Sequence, residues 1–266
     1  MSISTRVAGF RALLFFDNWP ILVLQRIFDR NTGLVVYRKK DLEFVVDHKG
    51  GDENGARQCL TSDMYKKYLT SLSLPNDVKI LDLGANGGGF PLMLRAEGIG
   101  LERVVCVEMN PMVVDRLKLN LATNFGPAAV AINAAVCDTS TRKEIVLKRS
   151  RGGTSTSILR DQADGTAVSD TVTTISLASL YRKYFDNGLI DICKVDIEGA
   201  EYEAFESSDD AVLLAIRYLI IELHEPSRTP RFVERLSSLG YTEMTHKEGS
   251  RTRDMADVRC FKGPAA

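Results

Sequence analysis

Five ionisable side chains lie within and directly after one apolar segment, which reads DICKVDIEGAE from Asp191 to Glu201. Charged residues are seldom placed in a buried strand unless they pair or take part in function. Because side chains alternate along a strand, Lys194 and Asp196 are expected to point the same way and to pair or flank a pocket. Gly199 permits a tight turn into a following helix. The segment is therefore a candidate site.

A histidine follows a second apolar segment, in the sequence ELHE. Glu222 and His224 alternate to the same side of this strand. Histidine is the natural general base near neutral pH and is suited to remove the proton of a hydroxyl group. Asp196, on a neighbouring strand, can orient His224 or bind the acceptor. The predicted catalytic residues are therefore His224, Asp196 and Glu222.

Two other interpretations of these three residues stay open. Together they can hold a divalent metal such as Mg²⁺, which lowers the pKa of a hydroxyl group. The histidine can also be purely structural, because it stands at the end of a strand. No metal ligand is assigned from the sequence.

A glycine-rich segment, ILDLGANGGGF from Ile80 to Phe90, runs from an apolar strand through a turn into a helix. Glycine lets a ligand approach where a Cβ atom would collide, and the first such turn of a doubly wound sheet binds nucleotide-like ligands. The spacing is neither G-x-G-x-x-G nor a phosphate loop. Glu108 ends the next strand about 20 residues later, where a carboxylate can accept hydrogen bonds from both ribose hydroxyls. The alternatives are a glycine turn without a ligand and a solvated carboxylate.

The spacing Asp82-x-Gly84-x-x-x-Gly88 resembles the first motif of class I methyltransferases, where this loop lies against the amino-acid part of S-adenosylmethionine. The resemblance implies a polar side chain against the adenine amino group, which Asn133 matches unless it is an ordinary turn residue; Asp138 is a weaker candidate. The cofactor-binding residues implied in this way are Asp82, Gly84, Ala85, Asn86, Gly88, Glu108, Asn133, Ala134 and Asp196.

The segment KVDIEGAE, from Lys194 to Glu201, closely resembles the signature of the FkbM-type methyltransferases. The resemblance covers roughly residues 78–245 and implies O-methylation, typically of a sugar or natural-product hydroxyl. Two departures bear on the substrate pocket. Ala178 stands where an acid is common, and three glycines, Gly87 to Gly89, stand where one glycine followed by aromatic residues is usual. Further matches occur, in order, at 82–86, 133–136, 152–155, 174–177 and 220–224.

Strands alternate with helices from residue 78 onward, which predicts an α/β fold. We expect a Rossmann-like, mostly parallel sheet of seven strands, with helices on both faces, as in class I methyltransferases. Its domain is predicted to span residues 75–266. The predicted strands are 78–83, 103–107, 128–132, 191–196 and 216–222, with 241–245 and 258–261 as a closing antiparallel pair. The predicted helices are 90–97, 111–123, 200–206 and 229–239.

Residues 1–74 are predicted to form an accessory region that covers the site or mediates a homodimer. It begins with two amphipathic helices, followed by strands at 34–37 and 42–46. A helix is expected over 56–72, because Leu60, Met64, Tyr68 and Leu72 recur at helical spacing.

The composition of the chain limits the classes of protein to which it can belong. The 266 residues include 44% hydrophobic residues and carry a net charge of −1, which is typical of globular proteins and gives no sign of a nucleic acid partner. No apolar run reaches the ~18 residues of a membrane span. Five widely spaced cysteines without C-x-x-C indicate reduced thiols and a cytoplasmic location.

The predicted function is transfer of a methyl group from S-adenosylmethionine to a hydroxyl group of a small molecule. N-methylation of a small-molecule amine and a non-catalytic binding or scaffold role are the alternatives. A loop over 152–157 is a candidate substrate lid. A basic cluster is either a solvated hairpin face or a site for an acidic substrate group, and comprises Arg142, Lys143, Lys148, Arg149 and Arg151.

Overall fold

The structure is a computed structural model that describes residues 10, 12–28, 33–49, 55–140, 143–149, 168–244 and 257–266. Its N-terminal elements are α1 (Trp19–Phe28), β1 (Leu34–Lys39), β2 (Leu42–Asp47), α2 (Ala56–Thr61) and α3 (Lys66–Leu69). The elements that follow are β3 (Asp77–Leu83), α4 (Gly89–Ala96), β4 (Gly100–Glu108), α5 (Pro111–Phe125), β5 (Ala129–Asn133), β6 (Ala135–Val136), β7 (Glu144–Arg149), β8 (Val168–Ile175), α6 (Leu177–Phe185), β9 (Ile190–Val195), α7 (Glu201–Glu206), α8 (Asp210–Leu214), β10 (Ile216–Leu223), α9 (Thr229–Ser238), β11 (Thr242–Glu243) and β12 (Asp257–Lys262).

The central sheet has seven strands in the order β11-β12-β10-β9-β3-β4-β5. Strands β10, β9, β3, β4 and β5 run parallel, and β12 lies antiparallel to β10 and β11. This confirms the predicted Rossmann-like, mostly parallel sheet with its closing antiparallel pair. Parallel strands end at a common edge, so the glycine turn, Glu108 and the segments after β9 and β10 all meet there.

Alternate residues of each inner strand face two separate apolar cores. Leu81, Val105 and Cys193 face one core, which is closed by α6, α7, α8 and α9. Ile80 and Ile192 face the other core, which is closed by α4, α5 and the N-terminal elements. Helices therefore cover both faces of the sheet, as predicted.

Strands β1 and β2 pair antiparallel as an N-terminal hairpin, and two asparagines on α5 hold this hairpin in place. Asn120 exchanges hydrogen bonds of 2.7 and 3.0 Å with the backbone N–H and carbonyl of Val45, and Asn124 does the same with Glu43 at 3.1 and 2.8 Å. Backbone N–H and carbonyl groups on the open edge of β2 are thus hydrogen-bonded by two side chains that lie one helical turn apart on α5. The division into an accessory region, 1–74, and a methyltransferase domain, 75–266, stays a prediction.

The helix predicted over 56–72 is wrong as a single element. The chain leaves the helical conformation at Ser62, with φ −109° and ψ 162°, and resumes it only at Lys66. Leu60 and Tyr68 are buried nonetheless. The interruption brings Met64 and Tyr65 to the wall of the cavity described below.

Several predictions concern other surfaces. Helix α1 exposes apolar side chains, among them Ile21, Leu24 and Ile27, and the homodimer expected at this region stays a prediction. No helix within the described ranges is long and apolar enough to span a membrane. All five cysteines are free. The loop 152–157, Arg142, Arg151 and the side chains of Lys148 and Arg149 lie outside the described residues.

Candidate active site

A cavity of about 380 Å³ opens at the carboxyl edge of the sheet, a volume within the usual range for small-molecule sites. Its glycine-loop end is lined by Gly84, Ala85, Asn86, Glu108 and Ala134. Its carboxylate end is lined by Lys194, Asp196, Glu198 and Glu222. A side wall comes from α2 and the turn after it, and includes Gln58, Cys59, Met64 and Tyr65.

The glycine loop uses its own backbone donors internally. The N–H groups of Gly84 and Ala85 both donate to the carbonyl of Val107, at 2.9 and 3.0 Å, and the next three also have acceptors. No row of free N–H groups remains in this loop to cradle a phosphate. Gly84 has φ +74°, and a Cβ atom there would collide with the backbone carbonyl of Asp196. The loop is therefore shaped for close packing rather than for a phosphate group.

Glu108 links the loop to the start of α5. Its Oε2 accepts from the N–H of Asn86 at 2.9 Å, and its Oε1 accepts from the N–H of Asn110 at 2.7 Å. Burial raises the pKa of Glu108, and these two hydrogen bonds oppose that shift. A carboxylate oxygen has two acceptor sites, so each oxygen keeps one for a ligand hydroxyl.

The run of three glycines has a structural reason. A Cβ atom at Gly89 would meet the Cα of Ala56 at 2.7 Å and the carbonyl oxygen of Gly55 at 2.8 Å. Helix α2 therefore packs directly on the glycine loop and becomes the side wall of the cavity. The residues of this side wall were not predicted from the sequence, although the departure at Gly87 to Gly89 was a signal for them; they are Gln58, Cys59, Met64 and Tyr65.

Lys194 carries a buried ammonium group between the two ends of the cavity, with 4% of its side chain exposed. Its Nζ donates to the carbonyl of Gly84 at 2.8 Å and lies 3.3 Å from Asp82 and 3.6 Å from Asp196. Burial alone would lower the pKa of Lys194, but Asp82, Tyr65 and Asp196 raise it well above its ordinary value. Among the described residues neither oxygen of Asp82 has a hydrogen-bond partner, so this ammonium compensates its charge.

Four carboxylates surround the ring of His224. Nδ1 lies 3.2 Å from Glu201, while Nε2 lies 3.4 Å from Glu222 and 3.8 Å from both Asp196 and Glu198. Hydrogen bonds with Glu201 and Glu222 raise the pKa of His224 to about 10, although burial opposes them. The imidazole is therefore a cation at neutral pH.

The glycine loop and the carboxylate of Glu108 thus line the same cavity as the carboxylates of Asp196, Glu198 and Glu222. This cavity lies at the carboxyl edge of a doubly wound sheet. The model of the methyltransferase FkbM domain matches residues 82–243. The chain belongs to the FkbM methyltransferase family. It is an S-adenosylmethionine-dependent methyltransferase, and the predicted family membership is confirmed.

Relatives of this FkbM methyltransferase include methyltransferase sdnD of Sordaria araneosa, which is 27% identical over 62% of this chain and 75% of its own length. Similar solved structures include the methyltransferase FkbM of Methylobacillus flagellatus, with a TM-score of 0.47, 15% identity and coverage of 72% of this chain and 44% of that one. Another is M. capricolum TrmK with S-adenosyl-homocysteine, with a TM-score of 0.42, 11% identity and coverage of 75% and 68%.

The cavity wall of this FkbM methyltransferase contains only part of the predicted residue set. Asp82 lies behind the cavity wall, and its carboxylate lies 3.3 Å from Nζ of Lys194, which lines the cavity. Asn133 is exposed and donates to the carbonyls of Glu108 and Met109, at 2.9 and 3.0 Å. Gly88 lies at the start of α4, and His224 lies behind the carboxylates of Asp196 and Glu222. The Asp138 carboxylate accepts from the N–H of Ser140 at 2.8 Å. The cofactor and catalytic roles of the predicted residues stay predictions.

Replacing Lys194 by Met tests the buried ion pair. The change leaves Asp82 buried without a cation, so we expect unfolding free energy to fall by about 3–5 kcal/mol in urea titrations. Adding Asp82→Asn should restore part of that loss. Lys79, which forms an exposed pair with Glu102 at 3.5 Å, gives the control, because Lys79→Met should cost at most about 1 kcal/mol. A Lys194→Met protein as stable as the control would contradict the assignment.

The charge of His224 can be read from its ring resonance by NMR, identified by its absence in His224→Gln. We expect a titration midpoint near pH 10. A raised pKa means that the folded state holds the proton more tightly, so this contribution to stability is full below about pH 6.5 and is lost as pH rises through about 10. A midpoint at or below pH 7 would restore His224 as a general base.

Proposed function

We propose that this methyltransferase transfers a methyl group to a hydroxyl group of a small molecule such as a sugar or a natural product. The observation that carries the proposal is the carboxylate end, where Asp196 and Glu222 face the same cavity as the glycine loop. A hydroxyl group loses its proton as its oxygen attacks a methyl donor, and an adjacent carboxylate can accept that proton.

The glycine-loop end has the groups expected to hold S-adenosylmethionine, which supplies a methyl group on a positively charged sulfur. We assign the ribose hydroxyls to the remaining acceptor sites of Glu108 and the adenine ring to the small side chain of Ala134. Asn133 uses its amide N–H groups on backbone carbonyls, which leaves its oxygen for the adenine amino group. The loop from Gly84 to Gly88 offers no phosphate cradle, which suits a cofactor that carries no phosphate.

The proposed role of His224 differs from the role predicted from the sequence. A histidine that is already protonated at neutral pH does not accept a proton there. Its Nε2 faces Glu222 and Asp196, which line the cavity, so the imidazolium offsets their charges and orients them. We therefore assign proton acceptance to Asp196 or Glu222.

Two alternatives concern the same residues. The acidic end of the cavity also suits the ammonium form of an amine, which would make the enzyme an N-methyltransferase. The ligand atoms of Asp196, Glu198 and His224 lie within 4.8 Å of one another, so these are the groups that would hold a divalent metal such as Mg²⁺. Activity that is lost with chelator and restored by Mg²⁺ would favour the metal. A cytoplasmic location and a homodimer stay predictions.

A screen of hydroxyl and amine acceptors for the mass gain of one methyl group tests the proposal. With the hydroxyl acceptor it identifies, we expect Asp196→Asn or Glu222→Gln to lower kcat by about 10²–10⁴-fold, because the proton acceptor is gone. Cofactor affinity should be retained in Glu222→Gln, because Glu222 lies at the carboxylate end of the cavity.

Glu225→Gln provides the matched control, because Glu225 pairs with Arg228 at 3.9 Å and does not line the cavity. Its kcat should equal that of the wild type. The proposal is contradicted if only amines gain a methyl group, or if both cavity variants keep wild-type turnover on the hydroxyl acceptor.

A further inference from the structure

Glu201 is a fully buried carboxylate directly behind the carboxylate end of the cavity. Its Oε1 accepts from the backbone N–H of His224 at 2.9 Å and lies 3.2 Å from Nδ1 of the same residue. Its Oε2 accepts from the N–H of Gly199 at 2.8 Å. Burial alone would raise the pKa of Glu201, but the hydrogen bonds from His224 hold it below its ordinary value. Glu201 is therefore an anion that contacts two turns of the site.

We propose that Glu201 is a positioning residue that fixes the His224 ring through Nδ1, so that Nε2 points to the carboxylates at the cavity. A carboxylate on one ring nitrogen sets the ring orientation and leaves the other nitrogen for function. Here the other nitrogen lies 3.4 Å from Glu222 and 3.8 Å from Asp196. The two residues proposed to accept the proton thus both contact one histidine ring, and that ring is held by Glu201.

The second oxygen of Glu201 fixes the turn after β9. This turn places Glu198 at φ +53° and Gly199 at φ +101°, and a left-handed conformation is uncommon for a residue other than glycine. The hydrogen bond to the N–H of Gly199 helps to retain that conformation. It also keeps Glu198 on the cavity wall and 3.8 Å from the ring of His224. One buried carboxylate therefore positions groups from two strand ends.

Tyr202, the residue after Glu201, provides a control that distinguishes a positioning role of Glu201 from a general structural role. The hydroxyl of Tyr202 donates to the carbonyl of Glu225 at 2.9 Å and lies 3.0 Å from the hydroxyl of Thr229. Tyr202 thus ties the same helix to the same loop as Glu201 does, but through Glu225 and not through the ring of His224. Tyr202→Phe is therefore a control that loosens the packing and leaves the Nδ1 contact intact.

The experiment compares Glu201→Ala, Glu201→Gln and Tyr202→Phe in the full chain. The first readout is the Nδ1–H proton of His224 in ¹⁵N-histidine-labelled protein without cofactor, identified by its loss in His224→Gln. A proton shared with a buried carboxylate exchanges slowly, so it should be observed in the wild type and Tyr202→Phe and lost in Glu201→Ala. In Glu201→Gln the amide oxygen still accepts, so the resonance should persist at a changed shift.

The second readout is turnover, and this arm rests on the proposed function. Glu201→Ala should lower kcat by about 10–100-fold, in line with other residues that orient a functional histidine. KM for S-adenosylmethionine should stay unchanged, because Glu201 does not contact the glycine-loop end. Glu201→Gln should recover much of the lost kcat, and Tyr202→Phe should resemble the wild type. If Glu201→Ala does not fold, the comparison of kcat and of the Nδ1–H resonance is made between Glu201→Gln and Tyr202→Phe.

Two results would overturn this role of Glu201. One is an Ala variant that keeps both the Nδ1–H resonance and wild-type kcat. The other is a loss of kcat in Tyr202→Phe as large as in the Glu201 variants, which would make the contact merely structural. Absence of turnover in the wild type with every acceptor would instead count against the proposed function, and the NMR readout would still decide the role of Glu201.

Discussion

The ammonium group of Lys194 sets the relation between the two ends of the cavity. Moving a charged amine out of water is costly unless acceptors replace the lost hydration. In this protein the carbonyl of Gly84, on the glycine loop, accepts a hydrogen bond from the ammonium, and the carboxylates of Asp82 and Asp196 lie 3.3 and 3.6 Å from it. All three must stay near one buried charge, so the loop and the carboxylate end are held at a fixed separation.

This constraint explains why residues far apart in the sequence form one site. Gly84 must approach the backbone of Asp196 so closely that no side chain fits between them. Glu108 then fixes the far side of the loop, and Asn120 donates to the carbonyl of Gly87 at 2.8 Å. The loop is thus held by three side chains: the ammonium of Lys194, the carboxylate of Glu108 and the amide of Asn120.

The parallel strands could be predicted because apolar runs of the right length alternate with helical periodicity. The residues at their ends, such as Glu108, Asp196 and Glu222, followed from that assignment, since parallel strands end at one edge. Helices α6 and α8 were not predicted. Ser176 caps α6 by accepting from the N–H of Ser179 at 3.2 Å, a local signal, whereas α8 has only five residues.

Other features of the site depend on contacts between distant segments, which periodicity does not reveal. In the sequence, Gly89 only departs from the family's motif. The structure gives the reason, because Ala56 packs so closely on Gly89 that a Cβ atom would collide with it. His224 suits the role of a base in the sequence, but in the structure its hydrogen bonds to Glu201 and Glu222 raise its pKa to about 10, so the ring is a cation at neutral pH. The charge of this histidine therefore depends on carboxylates from two parts of the chain, α7 and β10.

We propose that one cavity binds S-adenosylmethionine, with Glu108 at the ribose. Calorimetric titration of the full chain with S-adenosylmethionine, for the wild type and Glu108→Ala, tests it most directly. We expect one binding site in the wild type and at least a roughly tenfold weaker affinity in the variant, equal to about 1.4 kcal/mol. No binding by the wild type at millimolar cofactor, or equal affinity in the variant, would contradict it.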